Sequence, residues 1–397
     1  NYKRAYYNLA GVLQHFTLNE SNVYINKIFL YLLEQKIIVR PNAIATNVIN
    51  ALFLNSDIKK YFSLISDKLF PKNLNYIIEQ LSNNKLLLQF MKVCPIPNYY
   101  FENNLKILRK EILNNVSNSI FNDKYLKFMI SLSSQCFLNE YIYSETKEEK
   151  NKVKKLSQKI KNKVDNNKIV EEIEIICLSC YVPLYNFRWL EKVKPSEYLS
   201  EIFNLQFYNF IQEKQISSSI NTISNITNSV SIKVKNQYEE NPYPRWTNLG
   251  LSIEAREIKD VINDIKLNIN LKKIKFSKFP EILIAGCGTG QHVITTASKY
   301  KNVKVYALDL SYNSLGYAKR KAMELGIKNI NFIQGDLLNL NILNKKFDLI
   351  ESVGVLHHME NPREGWRILK KYLKDDGLML IGLYSEKARA NISKIRN

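Results

Sequence analysis

The stretch Ile282–His292, ILIAGCGTGQH, constrains the fold more than any other: an apolar run breaks into glycines at every second position. An apolar run that turns at once into a glycine-rich loop is how a buried parallel strand hands over to a helix whose N-terminus faces a ligand. The segments around it keep the same pattern. EILIAG, VKVYALD, INFIQGD, FDLIESV and LMLIGLY read as strands, and SLGYAKRKAMELG and REGWRILKKYLK between them read as amphipathic helices. Strand and helix in alternation, with near-continuous apolar strands, predict a doubly wound, mostly parallel α/β sheet covered on both faces, spanning residues 276–397.

Residues 1–216 follow a different rule. Glycine is almost absent, and apolar residues recur every three or four positions in VYINKIFLYLLEQKII, NYIIEQLSNNKLLLQFMKVC and FMISLSSQCFLNEYIY. Pro41, Pro95, Pro97 and Pro183 punctuate these runs. The pattern predicts an all-helical domain. Its opening, AYYNLAGVLQHF, has the Tyr, Leu, Ala and Gly spacing of a first tetratricopeptide helix, which would make this region the tail of a repeat array. A polar Ser/Asn/Thr run then begins at residue 217, and residues 217–275 read as a linker and lid segment.

The chain has 397 residues and a formal charge of +20. Charge of that size is one footprint of nucleic-acid binding. Here, however, the lysines are scattered, arginine is scarce, and Lys, Asn and Ile are overused together. The densest cluster, Lys147–Lys168, mixes in acids and reads as a solvated helix and loop. Nucleic acid is therefore not the expected partner. The five cysteines, Cys94, Cys136, Cys177, Cys180 and Cys287, are sparse and odd in number, which suits a reducing, cytoplasmic setting better than a disulfide framework. Cys177 and Cys180 have CxxC spacing but no second pair or nearby His, so buried thiols are expected and no metal site. No apolar run is long enough to span a bilayer, and the start lacks the apolar region of a signal peptide.

Three ligands compete for the glycine loop. A phosphate-binding loop of the GxxxxGK type needs a lysine that this loop lacks. A dinucleotide fold needs GxGxxG, whereas here the third glycine arrives one residue early, at Gly290, followed by Gln291. Gly286, Cys287, Gly288 and Gly290 instead offer main-chain N–H groups to a smaller anion such as one carboxylate. Asp309 ends the next strand, where a carboxylate can accept from both hydroxyls of a ribose, with Leu310 placed to cover a purine. Asp336 ends the third strand, where it can accept from an exocyclic amine, and Leu337 can flank the ring. An amino-acid carboxylate, a ribose and an adenine together describe S-adenosylmethionine.

GCGTG, LDLS, QGDLL and FDLIESVGVLHHMENP stand in the order and spacing of class I S-adenosylmethionine-dependent methyltransferases, and residues 278–397 resemble that family. QYEENPYPRW (Gln237–Trp246) and QCFLNEY (Gln135–Tyr141) further resemble bacterial methyltransferases with upstream tetratricopeptide repeats. The resemblance implies a Rossmann-like transferase domain with S-adenosylmethionine as cofactor. Two departures stand out. The first-strand acid that helps organise the methionine end in the family is Ile284 here, leaving Gln291 or Glu351 to serve. The sequence also stops before the family's final β-hairpin, so either the domain is truncated there or LMLIGLY is left at a sheet edge.

Methyl transfer from a sulfonium needs alignment more than acid–base chemistry. YEENPYPRW can fold over the ligand as a lid, with Tyr238, Tyr243 and Trp246 facing a cation and Glu239 and Glu240 positioning an ammonium group. Ser352, Val353 and Gly354 follow the fourth strand of the expected sheet, beside the transferring methyl. His357 can face the site as a base. The segment lacks the Asn-Pro-Pro-Tyr type of motif used on planar amino groups of bases or glutamine. The expected activity is methyl transfer to an acceptor, first a protein side chain recruited by the helical domain, second a small metabolite. The reading from a different class is a ligand-binding assembly module without catalysis.

Overall fold

The computed structural model describes residues 2–67, 74–116, 123–270, 274–385 and 387–390. It divides into two compact units, Asn1–Ile211 with Trp246–Gly250, and Gln212–Arg245 with Leu251–Asn397. No described helix is long and apolar enough to cross a membrane.

The first unit is helical, and its abundant asparagines have a use. Asn22, Asn55, Asn84 and Asn98 each precede a helix and accept hydrogen bonds from its first-turn N–H groups. Each such cap is worth about 1 kcal/mol. The helix Asp123–Leu138 lies at the centre, and every residue from Phe128 to Leu138 is buried. It packs against the helices Leu74–Ser82, Lys85–Val93, Glu172–Ser179 and Glu197–Phe203. Its polar residues are satisfied within the unit: Ser131 and Ser134 donate to carbonyls one turn back, and the hydroxyls of Ser133 and Ser179 meet at 2.6 Å. A helix buried all round, touching elements far apart in sequence, is packing about a core. All five cysteines are buried and unpaired.

The second unit holds a six-stranded sheet: β1 (Asn221–Thr222), β2 (Glu281–Ala285), β3 (Lys304–Asp309), β4 (Ile330–Gln334), β5 (Phe347–Val353) and β6 (Leu373–Gly382). The order is β1-β4-β3-β2-β5-β6 and every pairing is parallel. Its helices include α1 (Ser229–Glu240), α2 (Ile258–Asp264), α3 (Gln291–Lys299), α4 (Tyr312–Glu324) and α5 (Pro362–Lys371). Alternation along the strands puts Leu283, Ala285, Tyr306, Leu308 and Ile350 on one face, in one cluster with Leu369 of α5. Thr296 of α3 bonds to Glu351, so α3 covers the other face. The chain leaves β2 for β3 on one side and enters β5 on the other. The switch point, where ligands of such sheets bind, is therefore the carboxyl end of β2.

Two boundaries are corrected. Residues 217–275 are not one linker: β1 pairs with β4 (Asn221↔Ile333, Thr222↔Gln334) and belongs to the sheet. Trp246–Gly250 belongs to the helical unit, where Leu249 N–H donates to the Lys36 carbonyl at 2.8 Å and Asn248 to that of Leu33 at 2.7 Å. At the other end, β6 begins at Leu373, earlier than LMLIGLY suggested, because a register shift absorbs the residues between Leu373 and Leu378. The closing run EKARANISKIRN, which reads from its sequence as a helix after the last strand, falls largely on residues outside the described ones.

Candidate functional site

The glycine loop runs from β2 into α3. Gly290 has φ +94°, and a Cβ there would lie 2.7 Å from the Ala318 Cβ of α4, so the third glycine lets two helices approach. Gly288 is also left-handed, at φ +51°, but a Cβ there would meet nothing within 4 Å. Bare backbone thus borders open space at the switch point, the cradle a carboxylate-bearing ligand requires. Cys287 is buried, and burial lifts its thiol well above its ordinary range, so it contributes backbone rather than sulfur chemistry. Gln291 is half-buried in the first turn of α3.

Asp309 ends β3 and is half-buried. Its two oxygens accept from Gly288 N–H at 2.7 Å and Ser311 N–H at 3.0 Å, which fixes the carboxylate against the loop. Burial raises its pKa above the ordinary carboxylate range, and the bonds from Ser311 and Gly288 pull the other way. Each oxygen keeps further acceptor capacity. Leu310 beside it is half-buried. Glycine loop and Asp309 therefore come together and fit the methyl donor.

The missing first-strand acid has a counterpart one strand over. Glu351 of β5 stands in register with Ile284 of β2 and is buried on the same face. Its Oε2 accepts from Thr296 Oγ1 at 2.8 Å and lies 2.7 Å from His292 Nε2, tying β5 to the first turns of α3.

Other expected residues have different surroundings. Asp336 is buried and caps a 3-10 turn by accepting from Leu338 N–H at 3.0 Å. Leu337 packs in the hydrophobic cluster with Leu340 and Leu369. Ser352 is fully buried and donates to the Ala285 carbonyl at 3.1 Å, joining the ends of β5 and β2. Val353 is 46% exposed at the end of β5. Trp246 is buried on a segment of the helical unit, and Tyr243 is 61% exposed on a segment of the second. Glu239 does not await an ammonium group either. Its carboxylate accepts from Tyr312 N–H at 2.8 Å and Asn313 N–H at 3.1 Å, capping α4.

His357 follows β5 in a 3-10 turn, its ring centroid 3.8 Å from that of Tyr384 just beyond β6. Both ring nitrogens are enclosed, with no hydrogen-bond partner among the described residues. Burial, then the charges of His358 and Arg389, hold its pKa below the ordinary value. Tyr384 in turn carries the Arg389 guanidinium 4.0 Å over its ring. Sequence reasoning did not single out Tyr384, although its place just past a strand end was the signal.

A parallel sheet with a glycine loop at its switch point and a carboxylate at the end of the next strand is a Rossmann-like arrangement of the kind found in class I S-adenosylmethionine-dependent methyltransferases. Residues 281–397 match the family model described as a methyltransferase domain. The chain is 36% identical over 118 residues to an uncharacterised Synechococcus protein, covering 30% of this chain and 28% of that one. It is 26% identical over 196 residues to a probable (S)-tetrahydroprotoberberine N-methyltransferase 2 of Papaver bracteatum, covering 49% and 53%. The chain thus spans from about a quarter to about half of these relatives' length. Among solved structures it is similar to the YcgJ protein of Bacillus subtilis, at 22% identity and a TM-score of 0.27 over 32% of this chain and 56% of that one.

Proposed function

We propose that this chain transfers a methyl group from S-adenosylmethionine to a nitrogen or oxygen acceptor, with His357 taking the acceptor's proton. Bound at the glycine loop, the cofactor supplies an electrophilic methyl group. The chain's own groups do the rest. The backbone at Gly288 and the first turn of α3 hold the amino-acid end, and Asp309 holds the ribose. His357 is the observation that carries the reading: an imidazole kept neutral near pH 7, its nitrogens enclosed yet unpartnered, beside Tyr384 at the carboxyl end of the sheet. A neutral imidazole placed there is a proton acceptor.

A protein side chain is the preferred acceptor. Tyr384, whose ring lies 3.8 Å from that of His357, is exposed, so a group carried on a macromolecule reaches it, and the helical unit is proposed to recruit its bearer. A small-molecule amine is the second reading, supported by the similarity to the Papaver enzyme. The test is incubation of the full chain with methyl-labelled cofactor and cell extract, sorted into protein, RNA and small-molecule fractions. Label in protein that is lost in His357→Ala supports the proposal. Cofactor binding without transfer to any fraction would instead make the chain a ligand-binding assembly module.

A further inference from the structure

Residues 238–244 form a strap fastened at both ends within the second unit. At one end the Glu239 carboxylate accepts from Tyr312 and Asn313 N–H, the Asn313 side chain donates back to the Glu239 carbonyl, and Ser311 Oγ donates to the Tyr238 carbonyl at 3.1 Å. At the other end Thr289 Oγ1 donates to the Pro244 carbonyl at 2.7 Å. Ser311 follows Asp309 and Leu310, and Thr289 lies inside the glycine loop. The strap therefore runs from the end of β3 to the end of β2, across the carboxyl rim where the donor is proposed to bind. Nothing in α1 is fully buried, so these bonds, rather than apolar packing, hold its C-terminal end in place.

Tyr238, the first residue of this strap, is half-buried. Burial, and then Asp309, Tyr384 and Tyr243 within electrostatic reach, push its phenol pKa up. With its carbonyl bonded to Ser311, Tyr238 stands beside the end of β3 that carries Asp309, and a sulfonium joined to a ribose held by Asp309 has to lie close by. An aromatic face attracts a cation and gains nothing comparable from a neutral thioether.

We propose that Tyr238 is a donor-site residue whose ring favours the charged sulfonium over the neutral product, and that Glu239 is the positioning residue that holds it there by closing the strap on α4. This rests on the methyl-transfer reading. It places in the site a tyrosine five residues before Tyr243, and gives the neighbouring glutamate a structural task instead of a substrate contact.

The test is calorimetric titration of the full chain with S-adenosylmethionine and, separately, S-adenosylhomocysteine. Tyr238→Ala is expected to lower the preference for the sulfonium by about 2- to 30-fold, the range of a cation–π contact. Tyr238→Phe should keep that preference. Glu239→Ala should weaken both ligands and raise hydrogen exchange in residues 238–244, leaving the β2–β5 amides protected. A Tyr238→Ala variant whose affinities for the two ligands fall equally, or not at all, overturns the inference while leaving the methyl-transfer reading intact. A wild-type chain that binds neither ligand overturns both.

Discussion

Adding one methyl group to the glycine loop separates a binding role from a packing role. At Gly288 the left-handed backbone costs an alanine about 1–2 kcal/mol. The reduced freedom of the unfolded chain returns about 0.4–1 kcal/mol. No neighbour lies within 4 Å of the new Cβ, so Gly288→Ala should lose only about 1 kcal/mol of stability. That corresponds to about 2–4 °C in Tm for a unit of this size. Gly290→Ala meets the same backbone cost, and its Cβ would also stand 2.7 Å from Ala318 Cβ and 3.0 Å from Ala318 Cα. Overpacking of that kind adds about 1–3 kcal/mol, for a total of about 2–4 kcal/mol. Thermal unfolding and donor titration of both variants give the assay. Gly288→Ala is expected to melt close to the wild type and bind S-adenosylmethionine at least tenfold more weakly, because its methyl fills the cradle. A Gly288→Ala protein with wild-type affinity would show that the open side of the loop faces bulk water, refuting the reasoning.

Three further outcomes follow from the geometry. Protonation of Asp309 sets in at a higher pH than for an ordinary carboxylate near pH 4. Donor affinity should therefore fall as pH drops through that raised value and become flat in Asp309→Asn, which titration across pH 4 to 8 would show. His357 titrates below its ordinary value near 6.5, so the transfer rate should hold steady from pH 7 downward and fall only below that lowered pKa. His357→Gln should cost about 10²–10⁴-fold at the plateau, and an unchanged rate would remove it from the chemistry. In the helical unit, Phe128→Ala empties a fully buried position on the central helix and should cost about 3–5 kcal/mol in chemical denaturation; a loss under 1 kcal/mol would contradict its central packing.

The sheet was legible because buried parallel strands are continuous apolar runs and the turn between β2 and α3 needs glycines. β5, Phe347–Val353, coincides with the run FDLIESV. β1 was hidden: Asn221 is a poor strand former, two residues are too few to show an alternating pattern, and the pair is extended because the edge of β4 pairs with it. The helical unit showed its periodicity, while the single TPR-like spacing near residue 10 could not reveal that Asp123–Leu138 would become a buried centre. In the site, Asp309 and the glycine loop were readable from their positions at strand ends. Glu239 was not, since its partners are the amides of Tyr312 and Asn313, far along the chain, and a carboxylate bound to backbone leaves no mark in side-chain pattern. The unit boundary between Arg245 and Trp246 left no mark either, because it falls inside the continuous aromatic and proline-rich run YEENPYPRW.

The central claim is that the glycine loop and Asp309 bind the methyl donor at the switch point of the sheet. Titrating the full-length chain with S-adenosylmethionine beside Asp309→Ala tests it most directly. Saturable binding at one site is expected in the wild type, and none in the variant. No saturable binding in the wild type, or equal affinity in Asp309→Ala, would contradict it.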